Sequence, residues 1–116
     1  MFAEILKSAA VIFALDLPWL YAIGGWAGSV VRGIQGSPLE FKVWPAIPVY
    51  LALGYILGFA KSASVAFTLG MSTYAVYDFT NLAMFKKYPL EFAIADSLWG
   101  GTLMTLAWYV RRYWVR

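Results

Sequence analysis

Four apolar stretches, each near the length a helix needs to cross a bilayer, take up most of this 116-residue chain. They run from about Ile5 to Ile23, Trp44 to Ala60, Ala63 to Ala83 and Leu90 to Val110. A helix rises ~1.5 Å per residue, so about 20 residues cover a hydrocarbon core ~30 Å thick. The chain is 62% hydrophobic and 13% charged, whereas soluble domains average about 45–50% apolar and about 25% charged. So small a domain cannot hide that much apolar surface in its own interior. Lipid is therefore expected to be part of its solvent, and there backbone polar groups must be satisfied within the chain, as a helix does. The expected fold is all-α: an integral-membrane four-helix bundle with short turns, forming a single transmembrane domain over residues 1–116.

The connections support antiparallel neighbours. Lys61-Ser62 leaves a tight turn between the second and third stretches, and Lys86-Lys87-Tyr88-Pro89 separates the third from the fourth. Pro89 is well placed just ahead of a new helix, where its missing N–H costs nothing. The longest connection, Gly24 to Val43, is glycine-rich and interrupted by Arg32, Glu40 and Lys42. Its apolar piece, Trp26 to Ile34, either extends the first helix or lies in the headgroup layer with Trp26 as an anchor; the second arrangement is the expectation. The N-terminus resembles a signal peptide in outline. Glu4, Asp16 and the lack of a small-x-small cleavage site argue for a retained first helix instead. Trp44, Tyr88, Tyr109, Tyr113 and Trp114 fall near the ends of the stretches, as interfacial aromatic belts do. With four spans, Lys7, Lys61, Arg111, Arg112 and Arg116 share one side; Arg32, Lys42, Lys86 and Lys87 share the other. That balance slightly favours cytoplasmic termini and leaves dual insertion open. Gly54 with Gly58, and Gly100 with Gly101, mark close helix contacts, expected within the monomer rather than as a homodimer motif.

Composition also excludes chemistry. The chain has no cysteine and no histidine. Zinc–thiolate sites, haem ligation, cysteine nucleophiles and histidine bases are thereby removed, and nothing reports the redox compartment. A bound metal would be an oxygen-ligated cation. No lysine lies at membrane depth to carry a Schiff base, and no phosphate loop or nucleophile elbow is present. The basic C-terminus, Arg111-Arg112 and Arg116, fits anchoring at the membrane surface better than nucleic-acid binding.

Three acids stand out. Asp16, Asp78 and Asp96 sit inside the apolar stretches, where an ionised side chain costs ~2.5–3.5 kcal/mol on insertion scales and more in simulations. Asp16 lies about nine residues beyond Lys7, Asp78 eight before Lys86 and Asp96 seven after Pro89. At ~1.5 Å per residue the latter two are each about 10–12 Å from their shared turn, and Asp16 falls near the same level. Asp16 and Trp19, like Asp96 and Trp99, are three apart and share a helical stripe. Tyr74, Asp78 and Asn81 share another, with Tyr77 and Thr80 flanking it. Pro18 cannot donate to the carbonyl of Ala14, which is expected to kink the first helix and add an oxygen ligand. Carboxyl groups so close cannot all ionise in a low-dielectric layer, so at least one is expected to hold a proton. The competing interpretation makes each aspartate interhelical glue, hydrogen-bonded to indole, phenol and amide groups.

The block Tyr77-Asp78-Phe79-Thr80-Asn81-Leu82-Ala83, continuing through Lys86, Pro89-Leu90 and Asp96-Ser97-Leu98-Trp99-Gly100, resembles the small predicted membrane proteins of domain-of-unknown-function family 2177. Leu15-Asp16-Leu17-Pro18-Trp19-Leu20 resembles that family's first helix, and the likeness extends over nearly the whole chain. Lys87-Tyr88 departs from it, standing where a glycine and a tryptophan are expected. The resemblance implies a four-helix membrane protein and no biochemical activity. The two Asp-x-x-Trp pieces also hint at a diverged internal duplication.

The expected function is that of a multi-pass membrane protein with an intramembrane carboxylate site for a cation or proton, coupled to transport of a small or amphiphilic solute. Asp16, Asp78 and Asp96 would bind; Tyr77, Thr80 and Asn81 would orient them; Trp19 and Trp99 would wall the site. Two alternatives remain: a small accessory subunit of a larger membrane complex, and a metal-dependent enzyme acting on a lipid phosphate near Arg32, Lys86 and Lys87. The expected partners are the lipid bilayer and a second copy or larger complex.

Overall fold

The computed structural model describes residues 1–40 and 42–116, and the regular structure among them is helical. The helices are α1 (Phe2–Gln35), α2 (Ala46–Leu57), α3 (Ala63–Met84) and α4 (Leu90–Tyr113). By length and composition, α1 is the one described helix that meets the requirements for crossing a membrane.

The first helix does not end near Ile23, and Trp26 to Ile34 is not a separate surface segment. α1 continues through Gly24-Gly25 to Gln35 and stops at Gly36, whose φ of 74° provides the left-handed cap and whose N–H bonds the Arg32 carbonyl at 2.9 Å. Glycine in a helix costs about 1 kcal/mol relative to alanine, but packing outweighs it here. Ile23, Ala27, Val30 and Ile34 form a stripe against Tyr88, Phe92 and Ala93, and Trp26 meets Phe92 edge-on at 5.0 Å. Pro18 is accommodated inside the same helix.

The second apolar stretch forms a shorter helix than its length from Trp44 to Ala60 implies. Pro45 caps α2 at its start and the chain turns at Gly58. Twelve residues rise only about 18 Å. α2 lies antiparallel along the first half of α1: Gly54 sits against Ile5 and Ala9, while Tyr50 reaches Phe13 and Asp16. The second half of α1 is left without an α2 neighbour.

α3 and α4 form the closest pair. Ser62 caps α3 by accepting from the Val65 N–H at 3.3 Å. Gly70 lies against the Gly100 backbone, Gly100 against the Tyr74 ring and Gly101 against the Phe67 ring. Small residues thus bring two backbones together, the role expected of Gly100-Gly101 and Gly54. Gly58, at the end of α2, meets only its own helix.

α1 and α4 run antiparallel in a single register that pairs Glu4 with Arg111 and Asp16 with Trp99. The Arg111–Glu4 bond of 2.6 Å brings the two chain ends together, and Lys7 Nζ adds a 3.2 Å bond to the Arg116 carbonyl. The apolar core has two parts. One, around Ile12, Leu53, Ala66, Leu103 and Met104, fills the end bearing the termini; the other, around Val30, Tyr88 and Phe92, fills the opposite end. The three aspartates lie between them.

Two outcomes follow from this packing. A Cβ at Gly70 would overlap the Gly100 carbonyl and sit 2.6 Å from Met104 Cγ, so Gly70→Ala should destabilise the bundle by about 1–3 kcal/mol. Gly28, with nothing within 4 Å, is the control, and its change to alanine should gain about 0.5–1 kcal/mol; unfolding in mixed detergent micelles measures both. The second outcome concerns pH. The Arg111 guanidinium, followed by Lys7, holds the Glu4 carboxyl below its ordinary value of 4.5. The clasp should therefore contribute fully above that value and fade as pH falls through the lower folded one. In a melting-temperature profile against pH, Glu4→Gln should flatten this acid limb.

Candidate functional site

Asp16 is buried and fully engaged. Tyr50 of α2 donates its hydroxyl to Oδ2 at 2.5 Å, and Trp99 of α4 donates its indole Nε1–H to Oδ1 at 2.7 Å. Indole nitrogen is a donor only and a carboxylate an acceptor only, so the pairing is chemically one-directional. The antiparallel register also brings Trp19 of α1 near the Asp96 carboxyl of α4. The Trp19 and Trp99 rings stack between the two acids, 5.1 Å apart and 8° from parallel. The two Asp-x-x-Trp pieces therefore lie side by side across α1 and α4, joined by the Trp99–Asp16 bond and the ring stack.

Asp78 is wholly enclosed, with 0% of its surface exposed. It accepts from the Tyr88 hydroxyl at 2.6 Å through Oδ1, while Oδ2 has no donor. Its carboxyl lies near that of Asp96 across the α3–α4 hairpin. Ser97, next along α4, is also buried with its hydroxyl unpartnered. Thus Asp78 and Asp96 are neighbours across the hairpin, and Asp16 lines the same cleft as Asp96.

A cleft of about 430 Å³ leads away from this layer between α1 and α3. Asp16, Asp96, Trp19 and Tyr74 line its polar end. Ile23, Ala27, Val30, Val31 and Ile34 line its α1 wall, with Asn81, Phe85 and Tyr88 opposite. The cleft exists because α2 covers only the first half of α1.

The expected supporting shell is partly corrected. Thr80 is exposed and does not line the cleft, because two residues along a helix turn a side chain about 200° from Asp78. Tyr77 is 63% exposed and reaches only the cleft edge. Neither makes a hydrogen bond to the acids among the described residues. Asn81 lines the cleft, and Trp19 and Trp99 stand against the carboxyls. Tyr50 and Tyr88, the two phenol donors, escaped the sequence reading. Tyr88 stands where an interfacial belt is expected, and nothing local in α2 marks Tyr50 as a partner of Asp16.

Residues 1–111 match the model of the DUF2177 family, whose description is predicted membrane protein. The chain belongs to this family. No curated protein and no solved structure matches the chain. The DUF2177 match takes in all four helices to within a few residues of the end of α4, and all three aspartates.

Tyr88→Phe removes the one hydroxyl donated to Asp78 and leaves a second buried oxygen unpaired. It should cost about 1–3 kcal/mol in detergent unfolding, while Tyr77→Phe, at the exposed edge, should stay close to the parent.

Proposed function

We propose that this DUF2177 member is a multi-pass membrane protein that holds an exchangeable proton on the Asp78–Asp96 pair and couples it to a small or amphiphilic solute in the α1–α3 cleft. One observation carries the reading. Every lysine and arginine lies toward an end of the bundle or in a connection, and Asp16, Asp78 and Asp96 are the charged residues at mid-depth. Lys87 packs on Gly33 at one end, and Arg111 on Glu4 at the other. The longest extent of the fold is 44 Å, comparable with the ~40–45 Å of a bilayer including its headgroups.

A proton fits the donor set better than a metal ion does. Both oxygens of Asp16 are already occupied by N–H and O–H donors, and the described residues contain no cluster of three acids arranged to hold a metal. Two ionised carboxylates offer only acceptors, so the nearness of Asp78 and Asp96 calls for one proton between them. Asp96 lines the cleft whereas Asp78 is sealed behind it. A solute entering the cleft would therefore meet Asp96 first. The apolar α1 wall suits an amphiphile whose polar group reaches the acid layer.

Two experiments test this reading. The chain has no cysteine, so Ala3→Cys, Ser37→Cys and Val115→Cys can each be labelled alone in oriented vesicles. Labels at 3 and 115 should react from one side and at 37 from the other; 3 and 115 reacting from opposite sides would end the four-span topology. Infrared spectra near neutral pH should show a protonated-carboxyl band that Asp96→Asn removes while the protein stays folded. If that band is absent from the parent, or if only Asp96→Ala has an effect and Asp96→Asn behaves as the parent, the acids are glue.

A further inference from the structure

A second cavity, of about 490 Å³, opens at the end of the bundle that carries both termini, between the start of α1, the end of α2 and the end of α4. None of its lining residues belongs to the α1–α3 cleft. Two guanidinium groups face it. Arg112 lies over the Trp108 ring, 5.2 Å from the centroid, and makes no salt bridge among the described residues. Stacking of this kind fixes the guanidinium plane and leaves its N–H edge free. Arg111 donates Nη2 to Glu4, but its Nη1 is buried without an acceptor. An unmet buried donor is costly, and a modest turn of this guanidinium would satisfy it with an oxygen delivered into the cavity. Glu4 serves Arg111 and Lys7 together, so positive charge is in excess. Leu57, Phe59 and Ala60 supply an apolar flank.

One free guanidinium fork and one unmet N–H beside an apolar wall match a phosphate group carried on an apolar body, because a guanidinium fork binds phosphate oxygens two at a time. We propose that this cavity binds the headgroup phosphate of an anionic phospholipid. Binding of phosphate there is independent of the proton reading; only the lipid source rests on membrane insertion.

The full chain, freed of lipid in an uncharged detergent, would be titrated with short-chain phosphatidylglycerol, short-chain phosphatidylcholine and inorganic phosphate, with tryptophan fluorescence and thermal unfolding as readouts. Phosphatidylglycerol should give a saturable shift that weakens as salt is raised. Arg112→Gln should weaken its apparent affinity about tenfold, Arg112→Lys should fall between, and Glu4→Gln should tighten it by releasing Arg111. Inorganic phosphate binding as tightly as phosphatidylglycerol would retain the phosphate site and overturn its lipid source. Phosphatidylcholine binding equally well, or Arg112→Gln and Arg112→Lys both binding as the parent while folded, would overturn the site.

Discussion

A buried carboxylate must find donors, and in this bundle they come from other elements: α2 and α4 for Asp16, the α3–α4 connection for Asp78. Asp16 takes the indole N–H of Trp99, Trp19 lies near Asp96, and the two rings stack. The arrangement works because α1 and α4 are antiparallel and each carries an aspartate three residues ahead of a tryptophan. A one-residue slip would rotate each aspartate about 100° from its partner. It would also part Glu4 from Arg111. Register, polar satisfaction and the juxtaposition of the chain ends are thus one constraint, and the α3–α4 hairpin is seated against it through Asp78 and Asp96.

How far the fold was legible follows from which signals are local. Turn chemistry at Ser62 and Pro89 marks the starts of α3 and α4, since a cap acts on its own helix. The glycine-rich segment after Ile23 departs from its sequence expectation because its helix-breaking composition is local, whereas the stripe that overrides it depends on Tyr88 and Phe92, far along the chain. Ile23, Ala27, Val30 and Ile34 already carried the helical spacing that signals this. α2 erred in the other direction: apolar residues continued past a helix that Pro45 and Gly58 confine.

For the candidate site, depth was readable and direction was only partly so. Counting residues from the charged ends brings Asp78 and Asp96 to one level, and the two are near each other across the hairpin. Helical angle alone would have removed Thr80 from the shell. Tyr50 was beyond reach, because its hydroxyl meets Asp16 only through the way α2 folds back along α1. The cleft was equally hidden, since it arises from what α2 leaves uncovered.

The three acids are not equivalent, and that bears on the choice between glue and chemistry. Interhelical hydrogen bonds in membranes average only about 0.6 kcal/mol in double-mutant cycles, so adhesion alone is a modest return for a carboxyl at depth. Asp16, with both oxygens bonded, has the character of glue: it fixes α2 and α4 on α1 and has little capacity left. Asp78 has an oxygen without a donor and a carboxyl neighbour. A chain selecting for adhesion would satisfy that oxygen or replace the pair with apolar residues, which in buried ion pairs is often neutral or stabilising. Asp96 lines the open cleft and lies near Asp78. Under the proposed function, stability lies with Asp16 and exchange with the pair, of which Asp96 is the member that lines the cleft.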